Sequence, residues 1–109
     1  MIARLWTADT TPTHAPAYAE HLRTRVLPAL NAIEGYAGGT LLERTTPAAV
    51  EIVVITWWRS LEAIRGFAGA DLEHAVVADE AARLLTRFDH RVRHFTMVAE
   101  DIPRPATTG

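Results

Sequence analysis

The chain of 109 residues contains no cysteine, no lysine and no glutamine, and it has one serine and one asparagine. The lack of cysteine excludes disulfides, thiolate zinc sites, iron–sulfur clusters and cysteine nucleophiles. The lack of lysine excludes Schiff-base chemistry and the Walker type of phosphate-binding loop. All 11 basic side chains are arginines. Histidines are therefore the side chains left to titrate near neutral pH.

The composition favours one globular domain. Apolar residues make up 49% of the chain and charged residues 22%, with a net charge of -2, which is typical of a folded domain. The arginines are scattered among acidic residues, which disfavours a nucleic-acid partner. No apolar run approaches the roughly 20 residues that span a bilayer, and residues 1–6 resemble a strand more than a signal peptide. We expect a cytoplasmic protein with one domain over residues 1–100 and a flexible tail over 101–109.

The secondary-structure pattern combines four strands with helical stretches. The β-branched and aromatic content typical of strands occurs in residues 2–8, 36–45, 50–58 and 89–99. Apolar spacing predicts a first helix over residues 16–34, which Pro28 is expected to kink or divide. Ser60 is a favoured N-cap for a second helix that ends near Gly69. A further helical stretch is predicted over residues 71–85.

This order, β-α-β-β-α-β, is that of a split, ferredoxin-like α+β fold, with a four-stranded antiparallel sheet and helices on one face only. In the third predicted strand Ile52 and Val54 point to one side while Val53 and Ile55 point to the other, so both faces require burial. Two helices cover one face. We therefore expect a homodimer in which a second copy packs sheet against sheet.

Several segments resemble the antibiotic biosynthesis monooxygenase-like members of the dimeric α+β barrel proteins. The similarity extends to about Val98 and lies in Leu27-Pro28-Ala29 with Gly35-Tyr36, Thr56-Trp57-Trp58-Arg59-Ser60-Leu61-Glu62-Ala63, Phe67-Ala68-Gly69 with Ala75-Val76-Val77, and Phe88-Asp89 with Arg93-His94-Phe95. The resemblance implies a dimeric α+β barrel. The family includes cofactor-independent oxygenases of aromatic polyketides, haem-degrading enzymes, quinol oxygenases and small proteins with no assigned reaction, so the fold alone does not select one of them.

The haem-degrading branch of that family uses an asparagine on the first strand, a tryptophan in the helix after the Trp-x-Ser segment, and a histidine further along as the iron ligand. This chain departs at all three positions, because strand one has no asparagine, the helical tryptophan is Phe67, and the ligand position falls on about Val77. His74 lies one helical turn before this ligand position and is the alternative iron ligand if the local helix shifts. The oxygenase interpretation is therefore favoured over haem chemistry.

The candidate site consists of a base, a donor to a negative oxygen, and aromatic walls. His94 shares a strand face with Val92 and Thr96, where burial would favour the neutral base, and His74 is the alternative base. Arg44 is the candidate donor, alongside a tryptophan N–H. The candidate substrate-binding walls are Trp58, Phe67, Tyr36 and Phe95. For each of these residues, ordinary packing or solvation is the competing interpretation.

An oxygenase without a cofactor requires a substrate that supplies the electrons, such as a phenol, an anthrone or a quinol, with dioxygen as the second substrate. Its site needs a base, an oxyanion donor and a dry aromatic pocket. The spacing of the histidines forms no metal-binding motif, and there is no G-x-G-x-x-G fingerprint. We therefore expect no metal and no organic cofactor. The alternative is a non-catalytic barrel that binds a small hydrophobic ligand.

Overall fold

Five strands form one antiparallel sheet in the computed structural model, which describes residues 1–103. The strands are β1 (Ile2–Thr10), β2 (Tyr36–Thr45), β3 (Val50–Trp58), β4 (Leu85–Phe88) and β5 (Arg93–Thr96). Their order is β2-β3-β1, and both β4 and β5 pair with the remaining edge of β1. The sheet is open. The predicted ferredoxin-like α+β fold is confirmed, with β4 and β5 together in the place of the fourth predicted strand.

The edge of the sheet differs from the single strand predicted over residues 89–99. Strand β4 pairs with the end of β1, whereas β5 pairs with its beginning. Between them, the N–H of Asp89 donates to the carbonyl of Thr7 at 3.0 Å, and the Asp89 carboxylate accepts a hydrogen bond from the Thr7 hydroxyl at 2.6 Å. Residues 90–92 then pair with residues 73–75 instead of β1: the N–H of Ala75 donates to the carbonyl of His90 at 3.0 Å, and the N–H of Val92 donates to the carbonyl of Glu73 at 2.8 Å. This pairing explains the interruption.

The first helix is divided as Pro28 predicts. Helix α1 (Ala15–His21) and helix α2 (Leu27–Asn31) are joined by a π-helical turn over Leu22–Val26. Pro28 has no N–H to donate to the carbonyl one turn earlier, and the wider turn accommodates this loss. The helix ends at Asn31 rather than at residue 34.

The second helix follows its prediction closely. Helix α3 (Leu61–Ala68) begins after Ser60, whose hydroxyl accepts a hydrogen bond from the N–H of Ala63 at 3.2 Å. Gly69 ends the helix with a φ of +85°, a conformation that favours glycine. The N-cap and the stop signal are therefore both confirmed.

The further helix predicted after Gly69 is mostly wrong. Helix α4 (Asp79–Ala82) is its only helical part, and residues 69–78, here called the connecting segment, have no repetitive structure. Long-range contacts occupy the backbone groups that a helix would use: the side chain of Arg4 binds the carbonyls of Leu72 and His74. Because buried backbone groups need partners, these bonds favour an irregular path.

The two faces of the sheet are covered differently. The covered face packs against the helices, and alternate residues of β3 from Val50 to Trp58 are buried there. The open face carries the residues in between, including Val53, Ile55 and Trp57, which stay partly accessible. The part of the chain that the structure describes has no helix of the length and apolarity needed to cross a membrane. Residues 101–103 have no regular secondary structure, and the rest of the predicted flexible tail lies outside the described residues.

Candidate functional site

A cavity of about 80 Å³ lies between the covered face of the sheet and the helices. Its wall is mainly apolar and is drawn from β1, β3, the divided first helix, α3 and the connecting segment. Wall residues from these elements include Trp6, Leu22, Val26, Val54, Phe67 and Val77. An apolar interior site with few polar groups is the usual arrangement for small-molecule binding. Those polar groups decide what the cavity can do.

The most unusual polar group is Arg4, which lies on β1 and is only 4% exposed. Its guanidinium donates to the carbonyls of Leu72 and His74, the latter at 2.7 Å, and lies 5.5 Å from the centre of the Phe67 ring. Burial lowers the pKa of Arg4 to about 10, so the side chain remains a cation at neutral pH. Within residues 1–103, no carboxylate forms a salt bridge with it. The cavity wall therefore contains a positive charge that no acidic side chain neutralises.

His94 is the third partner of Arg4, with 2.9 Å between the guanidinium and His94 Nε2. Arginine can only donate, so Nε2 accepts, and the proton of the neutral ring lies on Nδ1. Burial lowers the pKa of His94, and the positive charge of Arg4 lowers it further. The neutral form predicted from the sequence is thus supported. The lone pair that a base would use is, however, occupied by Arg4.

His21 is the imidazole that lines the cavity. It is the last residue of α1, and its Nε2 is buried with no hydrogen-bond partner among the described residues. Its ring centre lies 6.5 Å from that of Tyr18, which in turn stacks on Trp6 at 6.2 Å. Burial raises the pKa of the Tyr18 hydroxyl, so Tyr18 is neutral at physiological pH. The hydrogen-bonding capacity of His21 Nε2 is therefore unused within residues 1–103.

The predicted aromatic walls divide into three groups. Phe67 lines the cavity itself. Trp58 is fully buried behind it, with ring centres 5.7 Å apart, and Tyr36 packs edge-on against Trp58 at 5.3 Å. Phe95 does not belong to this site, because it is 47% exposed and faces the open side of the sheet. Phe67 therefore lines the cavity as predicted, and Trp58 and Tyr36 pack behind it. Phe95 lies on the opposite face of the sheet.

The structure does not bring Arg44 and His74 into the cavity wall. Arg44 pairs with Glu51 at 3.0 Å on the open face, where its side chain is largely exposed. His74 is exposed, and it contacts Arg4 through its backbone carbonyl rather than its ring. Neither residue is positioned to act as the predicted donor or base, because the sheet or the path of the connecting segment directs its side chain away from the cavity.

Sequence reasoning missed Arg4 and His21. For Arg4 there was a signal, since it alternates with Trp6 along β1 and must share the covered face. For His21 the signal was its position one helical turn after Tyr18 and next to Leu22, both apolar-face residues. Residues 1–103 contain no group of three or more His, Asp or Glu side chains placed to hold a metal ion.

The fold and the cavity together define a class: a ferredoxin-like α+β chain with an apolar small-molecule cavity between an open antiparallel sheet and its helices. The sequence profile of the antibiotic biosynthesis monooxygenase family matches residues 1–79. The chain therefore belongs to the antibiotic biosynthesis monooxygenase family. The matched part includes Arg4, His21 and Phe67 but not His94.

Solved structures with the same fold include three instructive neighbours. The monooxygenase ActVA-Orf6 of Streptomyces coelicolor, in complex with nanaomycin D, is 16% identical and has a TM-score of 0.58, with 96% of this chain and 92% of that chain covered. The haem degrader MhuD of Mycobacterium tuberculosis, with two haems in its active site, is 20% identical and has a TM-score of 0.60, with coverage of 93% and 99%. A dimeric ferredoxin-like protein from an uncultured marine organism is 16% identical and has a TM-score of 0.64, with coverage of 94% and 100%. No curated protein sequence matches the chain.

Proposed function

We propose that the protein is a cofactor-independent monooxygenase that oxidises a small aromatic phenol, anthrone or quinol with dioxygen. The observation that carries the proposal is the apolar, aromatic-lined cavity whose wall includes His21, a residue with a buried Nε2 that has no hydrogen-bond partner among the described residues. Membership of the monooxygenase family supports the reaction class. The likeness to a monooxygenase bound to nanaomycin D supports an aromatic ligand.

The chemistry begins with removal of a proton, because only the deprotonated ring is electron-rich enough to react with dioxygen. At the ring methylene of an anthrone, or at a ring C–H of a phenol or quinol, one atom of dioxygen becomes the new carbonyl oxygen. The other atom leaves as water with the two hydrogens that the substrate loses, so the substrate supplies all the electrons. Imidazole is the side chain suited to accept a proton near neutral pH. His21 takes this role in our proposal in place of His94 and His74, because its side chain lines the cavity and its Nε2 has no hydrogen-bond partner among residues 1–103.

The size of the cavity restricts the substrate. Its volume of about 80 Å³ is far below the roughly 300–1,000 Å³ of sites for drug-sized ligands. A single-ring phenol or quinol therefore suits it better than a tricyclic anthrone. A larger substrate requires movement of Val76 and Val77, which belong to the connecting segment and have no repetitive backbone bonding to resist it.

We also propose that the chain forms a homodimer through the open face. Val53, Ile55 and Trp57 lie partly accessible there, and Leu42 and Phe95 are 49% and 47% exposed. Several accessible apolar side chains on one face favour association. The described dimeric state of one structural neighbour supports the same arrangement.

Oxygen uptake with a panel of phenols, quinols and anthrones tests the proposed reaction. At least one compound is expected to be oxidised faster than its spontaneous rate. His21→Ala should lower turnover by about 10²–10⁴-fold, the usual contribution of a general base. His14→Ala is the matched control, because His14 is exposed at the other end of α1. Binding without oxygen uptake would indicate a small-molecule binding protein, and full activity in His21→Ala would exclude this base.

A further inference from the structure

We infer that Arg4 and Thr56 form an oxyanion subsite in the cavity, and that the bound ligand is an aromatic compound with an ionised ring oxygen. The inference deepens the proposed function and rests on it for the location of the ligand. Beyond the proposed function, it states that the ligand is bound as an anion. It is based on two donors on neighbouring strands and on the lack of a salt bridge to Arg4 within the described residues 1–103.

The guanidinium of Arg4 has N–H donors that it does not use within the described residues. Its guanidinium has five N–H groups, and three of them donate to Leu72, His74 and His94. The others have no acceptor in the part of the chain that the structure describes. All three partners are neutral, so they satisfy hydrogen bonds without cancelling the charge. The two carbonyl dipoles compensate the buried cation in part, and a ligand oxyanion would supply the negative charge that no acidic side chain of residues 1–103 places against it.

Thr56 provides a second donor next to Arg4. The two residues are directly paired across β1 and β3, so their side chains share the covered face, and both line the cavity. The hydroxyl of Thr56 accepts a hydrogen bond from Nε1 of Trp58 at 2.9 Å. Its own proton has no acceptor within residues 1–103. An oxygen of the ligand placed between the two side chains would therefore accept from both.

A purely structural role for Arg4 is the competing explanation, since the side chain also attaches the connecting segment to the sheet. That role requires donors but does not require a charge at the wall of a cavity. It also predicts no dependence of ligand affinity on ligand charge. The two explanations therefore differ in how the protein treats an ionised ligand and a neutral one of the same shape.

Spectrophotometric titration of bound 4-nitrophenol separates them, because its phenolate absorbs visible light and its phenol does not. The neighbouring charge of Arg4 should lower the pKa of the bound phenol by about 1–3. Arg4→Met should abolish the difference between bound and free nitrophenol, and Arg4→Lys should retain part of it. Arg23→Met is the matched control, because it removes an equal charge from an exposed site on the first helix. An unchanged pKa on binding to the wild-type protein overturns the inference.

A comparison of benzoate with benzamide keeps the test valid if Arg4→Met does not fold, since it uses only the wild-type chain. Benzoate should bind at least about tenfold more tightly, the factor that corresponds to one pKa unit. Equal affinities, or no binding of benzoate, overturn the subsite. Selective binding of anions without oxygen uptake would leave the subsite standing and reject the proposed reaction. Oxygen uptake with a preference for neutral ligands would support the proposed reaction and reject the oxyanion subsite.

Discussion

The two faces of the sheet are built from the same strands but differ in what meets their side chains. On the covered face, the polar groups Arg4 and Thr56 lie among aromatic and aliphatic residues and bond to backbone or neutral side chains. On the open face, charged residues pair with each other at the surface, as Arg44 does with Glu51. Strand β3 is therefore apolar on both sides for different reasons. One side encloses a cavity, and the other is available for a second copy.

Removal of a tryptophan side chain from each face should change the stability of the protein in two different ways. Trp58→Ala is expected to lower the free energy of unfolding by about 3–5 kcal/mol, the usual cost of deleting a buried aromatic side chain, because Trp58 is fully buried. Trp57→Ala removes the same group from the open face. Trp57→Ala should lower the free energy of unfolding mainly by weakening self-association, so the loss should depend on protein concentration. Urea unfolding at several concentrations measures both, and equal losses at every concentration would contradict the distinction.

A charge in the middle of the open face should abolish the proposed dimer. Ile55 pairs with Leu5 on β1 and Thr40 on β2, so it lies near the centre of that face. Ile55→Arg would place an unpaired charge in the interface, which is strongly unfavourable. Sedimentation should find the wild-type chain as a dimer at micromolar concentration and the variant as a folded monomer. A wild-type monomer would remove the basis for the dimer.

The pH dependence of stability tests the state of His94. Burial lowers its pKa in the folded protein below the ordinary value of 6.5, and Arg4 adds to the effect, whereas Glu73 opposes it. Below pH 6.5 the unfolded chain therefore binds a proton that the folded chain does not, and stability falls as the pH falls toward the lowered pKa. His94→Gln keeps an acceptor for Arg4 but does not titrate. The wild-type Tm should fall more than that of the variant between about pH 7 and pH 5, and parallel curves would contradict this assignment.

The smallest expected effect is that of Arg44→Met. The pair of Arg44 with Glu51 is exposed, and exposed ion pairs contribute roughly 0–1 kcal/mol. Thermal unfolding should therefore change little, and the titration of bound 4-nitrophenol should not change at all. A lost preference for the phenolate in this variant would restore Arg44 as the oxyanion donor and move the site to the open face.

Local sequence signals predicted the elements whose causes are local. The N-cap at Ser60, the stop at Gly69 and the alternation of β3 all depend on neighbours in the chain. The connecting segment could not be predicted in this way. Its path depends on bonds from Arg4, which lies 68 residues from Leu72 in the sequence. Propensity favours a helix there, and long-range contacts override it.

The candidate site was also predicted only where its features depend on local sequence. Phe67 could be placed because its helix face and its aromatic character are local properties. The sequence placed His94 beside the site. It could not show that the lone pair of His94 Nε2 accepts from Arg4, because the two residues meet only through the pairing of β1 with β5. His21 could not be identified from the sequence, because the burial of its Nε2 becomes evident only when the helix packs on the sheet.

Ligands should bind at the covered face of the sheet, and the three tryptophan indole N–H signals in an NMR spectrum can locate them. Trp6 lines the cavity and donates from Nε1 to the carbonyl of Asp89 at 2.8 Å, whereas Trp57 lies on the open face. Each signal can be assigned with a Trp→Phe variant. Titration with 4-nitrophenol should shift the Trp6 signal and leave that of Trp57 in place. A shift of the Trp57 signal with the Trp6 signal unmoved would contradict the account.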